Sequence, residues 1–299
     1  MTTRRTTRAP NNRRSKPLKS PHEKPQVRKN LASRTLSVCF PELIAYLRPG
    51  LRVLDVGCGP GSITLDVGKK VYPGSVVGID LDEAAIEHAD QTLGATRAMR
   101  RILGQEEGVN ARFLVSRADQ MSLDERSFDL SYARLSLEFF PDPEVVLRSM
   151  RKSTKKDGLV IALVPDYGAI TVYPACPNVE EVVRAMRYWA DDSGLAGHFD
   201  AFLGRRILEL FKQSGLTDIA VSGVLHPYNC MHAGSSGFRR FLGAELDPAG
   251  PAAELFERCF AKGVLSRETV ALAREDIERW HAHPAAFYLR PNIMAIGKA

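Results

Sequence analysis

What the chain lacks narrows it first. No stretch of its 299 residues approaches the roughly 18 consecutive apolar residues that a membrane helix needs, so no membrane span is expected. Its start has no apolar core of the kind that marks a secretory signal. The five cysteines, Cys39, Cys58, Cys176, Cys230 and Cys259, form no C-x-x-C pair, and their spacing fits no zinc module. An odd cysteine count in a large chain reads as reduced thiols in a cytosol-like compartment, which predicts a cytoplasmic protein. There is no GK[ST] phosphate loop and no G-x-G-x-x-G dinucleotide fingerprint. His281 and His283 are two residues apart, the wrong spacing for one helix face, and no carboxylate partner is apparent. No metal site is expected.

The apolar share of 44% and charged share of 25% are ordinary for a globular protein, and the chain is long enough to bury a sizeable core. The net charge of +6 is unevenly spread. Residues 1–30 hold ten of the 41 basic residues and one of the 35 acidic ones, so they carry +9 and the remainder carries −3. They also contain Pro10, Pro17, Pro21 and Pro25 and almost no large apolar side chains. Such a segment cannot bury enough surface to offset its ordering entropy, so residues 1–30 are expected to be a disordered basic tail. A solubilising role is the simplest reading; an anionic partner and organelle targeting are the alternatives.

From about residue 34, Leu36, Phe40, Leu43, Ile44 and Leu47 recur at helical spacing until Pro49-Gly50 ends the run. Strands are then predicted over 51–56, 75–79, 111–116, 128–132 and 159–164. Helices are predicted over 62–70, 82–103 and 143–153, the last with Pro143 in its first turn. Further on, 205–213 reads as helix, 217–224 as strand and 287–297 as a final strand. Helical stretches at about 178–192 and 235–282 read as insertions on a single domain, at about 174–203 and 230–284. Alternating strand and helix predict a doubly wound α/β domain over residues 31–299 with a mostly parallel sheet.

The informative unit is Val53-Leu-Asp-Val-Gly-Cys-Gly-Pro-Gly61, a strand running into a glycine-dense turn that opens a helix. Glycines permit positive φ and close ligand approach, and the helix start offers unpaired N–H groups. Asp80 ends the next strand in Gly78-Ile-Asp-Leu-Asp82, where a carboxylate can accept from both hydroxyls of a ribose. Asp119 follows the third strand in Ala118-Asp-Gln-Met121, where it can accept from an adenine amino group. The G-x-G-x-G spacing suggests an adenosine without a pyrophosphate.

Together, VLDVGCGPG, GIDLD, ADQMSL and SFDLSYARLSLEFFPDP resemble the class I S-adenosylmethionine-dependent methyltransferases, and among them the small-molecule group around the ubiquinone and menaquinone methyltransferases. The resemblance covers about residues 34–225 and the final strand. It implies a Rossmann-like seven-stranded sheet of order 3-2-1-4-5-7-6, the last strand antiparallel, with the helical insertions forming a cap. It implies S-adenosyl-L-methionine as cofactor and methyl transfer to a small-molecule acceptor, on oxygen, nitrogen or carbon, in secondary metabolism or quinone-type biosynthesis. Gly57, Cys58, Gly59 and Gly61 are then expected along the methionine part of the cofactor, Cys58 as a small packing residue. Asp55 is expected below them, orienting the ammonium. Asp80 is expected at the ribose with Leu81 on the adenine face, Asp119 at the adenine amino group with Gln120 and Met121 beside it, and Ala133 and Arg134 beside the sulfonium. Relatives often carry histidine where this chain has Phe139 and Phe140.

A sulfonium methyl is already activated, so the protein mainly positions the acceptor and excludes water. The candidates on the acceptor side are Asp166 and Tyr167, directly after the fifth strand, and His198 in the predicted cap; Tyr173, His226, Tyr228 and Tyr288 rank below them. A small-molecule enzyme is the leading reading. The alternatives are an RNA or protein methyltransferase using the basic tail, and a non-catalytic binding module. Strand four ends in Tyr132-Ala-Arg134, with neither the (N/D)PP(Y/F) nor the Pro-Cys of nucleic-acid base methylation, which disfavours a nucleic-acid partner. A homo-oligomer is left open.

Overall fold

The short β-branched runs become strands of two sheets. The computed structural model describes residues 31–105, 108–190, 200–225, 230–232 and 253–299. The expected tail and the candidates His198, His226 and Tyr228 lie outside them. The strands are β1 (Arg52–Val56), β2 (Ser75–Asp80), β3 (Ala111–Val115), β4 (Phe128–Arg134), β5 (Thr154–Pro165), β6 (Thr171–Tyr173), β7 (Thr217–Val224), β8 (Cys230–His232), β9 (Phe287–Leu289) and β10 (Asn292–Lys298). Seven form the main sheet in the order β3-β2-β1-β4-β5-β10-β7. β1 to β5 pair in parallel, and β10 runs antiparallel between β5 and β7. This is the predicted Rossmann-like sheet, with β7 and β10 as its sixth and seventh strands.

The helices are α1 (Leu36–Cys39), α2 (Ser62–Val71), α3 (Glu83–Ile102), α4 (Pro143–Ser153), α5 (Pro177–Ala190), α6 (Ile207–Gln213), α7 (Ala253–Ala261) and α8 (Arg267–Ala282). Alternate strand residues feed two cores. Val53, Tyr132, Ile161 and Met294 face α2, α3 and the N-terminal segment, burying Leu36, Phe40, Leu65 and Ala89. Leu54, Ala133, Val160 and Ala295 face α4 and α6, burying Val146, Leu147, Met150 and Phe211. Both sides of β1 are thus covered, as a parallel sheet requires, and each large side chain withdrawn from water contributes about 1.5–3 kcal/mol. Asp82 and Asp142 start α3 and α4 by accepting backbone N–H bonds from the first turn.

A third cluster lies over the carboxyl edge. β6, β9 and β8 form a small antiparallel sheet, and α5, α7 and α8 pack a core of Val182, Phe256, Ala273, Ile277, Trp280 and Tyr288. Trp280 Nε1 donates to the Tyr173 carbonyl at 2.8 Å.

Three elements differ from expectation, each for a local reason. The helix expected from residue 34 to 47 splits into α1 and a 3-10 turn, Pro41–Tyr46, because Pro41 has no N–H to continue the ladder. The expected final strand 287–297 splits into β9 and β10, one in each sheet, with Pro291 between them. The expected helix 235–282 includes residues outside those described; within them it breaks between α7 and α8, where Gly263 adopts φ 68° and Ser266 caps α8 by accepting from Thr269 N.

The cap is held by a buried carboxylate. Asp276 of α8, 5% exposed, accepts from the backbone N and Nδ2 of Asn178, both at 3.0 Å, and pairs with Arg279. Asp276→Ala leaves the start of α5 without its acceptor and is expected to cost about 2–4 kcal/mol. Hydrogen exchange should show lost protection in α5 and α8 with the β1–β4 amides unchanged. Equal loss through the main sheet would contradict a separately cooperative cap.

Candidate cofactor and acceptor site

The chain turns sharply after β1. Gly57, Gly59 and Gly61 adopt φ of 79°, 53° and 78°, the left-handed region that side chains avoid. Two of the three are also sterically required. A Cβ at Gly57 would lie 2.5 Å from Ser136 Cβ, and one at Gly61 would lie 2.7 Å from Ala89 and the Phe113 ring. At Gly59 nothing lies within 4 Å, so that position faces open space. The backbone N–H groups of Gly57 and Cys58 both donate to the Ile79 carbonyl, at 2.9 and 3.0 Å, folding the loop over the end of β2.

Asp55 lies beneath this loop, 3% exposed. Its Oδ2 accepts from Thr64 Oγ1 and from the Tyr132 hydroxyl, both at 2.6 Å. Burial pushes its carboxyl up to about 6; the two hydroxyl donors and Arg134 act against that rise, and the Asp80 charge adds to it. The same burial pushes the Cys58 thiol well up, so it is a neutral packing group. Asp80 ties the loop from the side: Oδ2 accepts from Gly59 N at 2.8 Å and Oδ1 from Asp82 N at 2.9 Å. A carboxylate has about four acceptor positions, so two remain on this one.

Asp55 and the glycine loop border an open cavity. Its walls are Asp55, Gly57, Cys58, Gly59, Pro60, Ser62, Ile63, Tyr132, Arg134 and Leu135, together with Leu31 and Arg34 from the N-terminal segment; Gly61 and Asp80 are not among them. Ala133 alternates onto the opposite face of the sheet and packs beside α4. Leu81, 38% exposed, and Asp119, Gln120 and Met121 lie beyond this lining, at the carboxyl ends of β2 and β3. Asp119 is held in a two-pronged pair with Arg117, at 2.7 and 3.1 Å.

The acceptor-side candidates are also at the carboxyl edge but outside this cavity. Asp166 accepts from Arg205 at 2.7 and 3.1 Å and from Gly168 N at 3.0 Å. Tyr167 is buried, with the Arg290 guanidinium 4.7 Å over its ring. Sequence reasoning missed two buried polar groups, Glu138 after β4 and Asn292 at the start of β10. Glu138, 2% exposed, has no hydrogen-bond partner for Oε2 among the described residues, and neither side-chain atom of fully buried Asn292 has one. A lone charge inside Leu137-Glu-Phe-Phe140 was the available signal for Glu138. Thr64, Tyr132 and Arg34 were missed as well; Tyr132 bonds to Asp55 across 77 residues of sequence. Among the described residues no cluster of His, Cys, Asp and Glu could hold a metal ion.

A family model for the methyltransferase domain matches residues 26–221. The chain belongs to the methyltransferase family. Its main sheet is the Rossmann-like one of the methyltransferase fold. An uncharacterised methyltransferase of Schizosaccharomyces pombe is 28% identical over 143 residues, 48% of this chain and 50% of its own length, so the chain spans about half of that relative. The demethylmenaquinone methyltransferase of Lactobacillus johnsonii is 24% identical over 201 residues, covering 63% of this chain and 77% of that one. The solved YcgJ protein of Bacillus subtilis superposes with a TM-score of 0.50 at 16% identity, over 86% of this chain and 97% of its own; that likeness concerns the fold alone.

Glu138 gives a stability prediction. Burial pushes its carboxyl from 4.5 up to about 8, with Arg290 and Arg134 opposing the rise. A raised acid favours the native state while protonated, so its contribution is complete below about pH 4.5 and lost as pH rises through 8. Glu138→Gln should therefore gain stability relative to the parent between pH 7 and 9. Urea denaturation at pH 6 and pH 9 checks this; an equal difference at both would show that Glu138 keeps an ordinary acidity.

Proposed function

We propose that this enzyme methylates a small-molecule acceptor, with S-adenosylmethionine held at the carboxyl ends of β1, β2 and β4. The observation that carries the reading is the glycine loop itself. It presents an open backbone position at Gly59, a buried carboxylate beneath it in Asp55, and a strand-end carboxylate beside it in Asp80. That donor and acceptor set fits an adenosyl amino acid. Gly57, Cys58, Gly59 and Gly61 would border its methionine portion and Asp55 its ammonium. Asp80 would take the ribose hydroxyls on its remaining acceptor positions, with Leu81 against the adenine. Asp119, Gln120 and Met121 would serve the adenine edge, while Arg134 would border the reacting centre; Ala133, packed on the opposite face, would not. Once bound, the cofactor supplies an activated methyl group, and the chain supplies position and exclusion of water.

The cap supports a small acceptor, since a layer of helices over the carboxyl edge would roof a compact molecule. Asp166 and Tyr167 stay candidates on this side, joined by Glu138 and Asn292, whose buried polar atoms suit an acceptor with a hydroxyl or amine; His198 stays a candidate from its place in the sequence. The named activity of the Lactobacillus relative favours a quinone-type or related ring as the acceptor, and with it a role in small-molecule biosynthesis. No described helix is long and apolar enough to cross a membrane. With the reduced cysteines, this agrees with a cytoplasmic enzyme. The +9 segment favours a second reading, an RNA or protein substrate.

Two measurements test the proposal. Asp80→Ala should weaken S-adenosylhomocysteine binding at least tenfold in calorimetry, and an unchanged constant in a folded variant would move the site elsewhere. A screen of phenols, quinones and amines with methyl-labelled cofactor should find turnover that survives deletion of residues 1–30. Turnover on RNA or protein alone, abolished by the deletion, would establish the second reading instead.

A further inference from the structure

The chain that leaves β4 runs from the glycine loop to the edge of the cap. Leu135 turns it at φ 48°, a conformation that leucine rarely adopts, with its N–H on the Leu163 carbonyl at 2.8 Å. Ser136 packs against Gly57 and donates to the Val56 carbonyl. Glu138, two residues on in the 3-10 turn Leu137–Phe139, offers its carbonyl to the Asp200 N–H at 2.7 Å. Across the sheet, β10 sets Asn292 opposite Pro165 of β5. Alternation along β10 turns the Asn292 side chain to the face of Met294, which is also the face of Tyr132. Arg134, two residues beyond Tyr132, shares that face and lines the cofactor cavity.

Among the described residues, Glu138 Oε2 and both side-chain polar atoms of Asn292 have no hydrogen-bond partner, although both side chains are buried. Buried polar atoms are normally bonded, so these point to groups on a ligand. The charges that face Glu138 are Arg134 from β4, Arg290 from the approach to β10, and Asp200, which is itself paired with Arg206. They set the kind of ligand. An amine that arrives as a cation would add to the positive charge of two guanidinium groups and a sulfonium. A hydroxyl arrives neutral and gains negative charge on oxygen as its proton leaves, which both arginines favour. Rings of the cap core adjoin these charges: Arg290 lies over Tyr167, and Asp200 accepts from the Phe202 N–H at 2.9 Å. Such surroundings suit a flat aromatic ring that carries the hydroxyl.

We propose that the acceptor is an aromatic hydroxyl compound bound between Glu138 and Asn292, and that Glu138 is the base that takes its hydroxyl proton. The assignment rests on the cofactor reading above and commits it to methylation on oxygen. The acceptor O–H bond breaks and its proton passes to the Glu138 carboxylate. The oxygen forms its bond to the methyl carbon as the sulfur–methyl bond breaks, and the pair from that bond stays on sulfur as a thioether. Glu138 then gives its proton to solvent. The Asn292 amide donates to the same oxygen and holds it in line. Burial, with Asp200 adding to it, pushes the Glu138 carboxyl up to about 8. That lies within reach of an aromatic hydroxyl, which ionises near ~10, so the proton transfer is close to balanced.

The test uses the full chain, methyl-labelled S-adenosylmethionine and matched probes: phenol, catechol and 1-naphthol against aniline and 1-naphthylamine. Methyl ethers should form from the hydroxyl probes, and no N-methyl product from the amines. Products on nitrogen or carbon only, or no ether from any hydroxyl probe, overturn the assignment. On the probe turned over, Glu138→Gln keeps the shape and loses the base. It should lower kcat at least hundredfold, with KM and S-adenosylhomocysteine affinity within about threefold of the parent. Parent kcat should rise with pH up to about 8 and then level, and the rise should vanish in Glu138→Gln. Calorimetry on chain saturated with S-adenosylhomocysteine should show 1-naphthol bound at least tenfold more weakly by Asn292→Ala than by the parent. A Glu138→Gln variant that keeps kcat within about threefold overturns the base; one that loses S-adenosylhomocysteine binding shows a role in the fold and overturns it equally. Unchanged 1-naphthol binding in Asn292→Ala removes that residue from the site. A parent that binds no S-adenosylhomocysteine fails the cofactor reading itself, whereas one that binds it and makes no ether fails this assignment alone.

Discussion

The site depends on a single buried carboxylate. Asp55 ends β1 beneath the glycine loop and accepts from Thr64 on α2 and Tyr132 on β4. Those two bonds fix the strand, the helix that the loop opens and the neighbouring strand against one another. A carboxylate this deep is costly unless its acceptor positions are used. The short bonds from two hydroxyls meet that requirement, and the remaining cost is visible in a carboxyl pushed up to about 6. With Asp55 in place, the loop can close over Ile79, Ser136 can donate to the Val56 carbonyl at 2.8 Å, and Asp80 can reach Gly59. The cavity is what this set of bonds leaves open.

The rest of the architecture distributes two tasks along one edge of the sheet. On the β1–β2–β3 side, short strands and tight loops present backbone groups and carboxylates. On the β5–β10 side, the chain leaves the sheet and builds a cap with its own core. The two sides meet where β9 passes into β10. Arg290 stacks on Tyr167 there, Asn292 enters the main sheet, and the Asp200 backbone N–H donates to the Glu138 carbonyl at 2.7 Å. Buried polar side chains gather at this seam because it joins layers whose cores are separate.

Legibility in the sequence followed the range of the interactions. Gly57, Gly59 and Gly61 could be read because the constraint is local: a strand end, a turn and a helix start within nine residues. The main sheet could be read because each strand is a short apolar run between turn signals. The splitting of the first helix and of the last strand was also local, and Pro41 and Pro291 carried it; apolar periodicity outweighed a missing N–H in that reading. The supports of Asp55 were less accessible. Tyr132 is 77 residues away, and only the register of β1 against β4 brings it alongside. Arg34 carries no local signal at all, because its place on the cavity wall comes from the packing of the N-terminal segment against α2. Glu138 and Asn292 were obscured by their apolar neighbours, which read as core.

A crystal structure of the full chain with S-adenosylhomocysteine tests the central claim most directly. The account predicts the ligand in the cavity above Asp55, its amino-acid end along the glycine loop, and its ribose at Asp80. A ligand bound away from the glycine loop, or bound there with Asp55 and Asp80 remote from its polar groups, would contradict it.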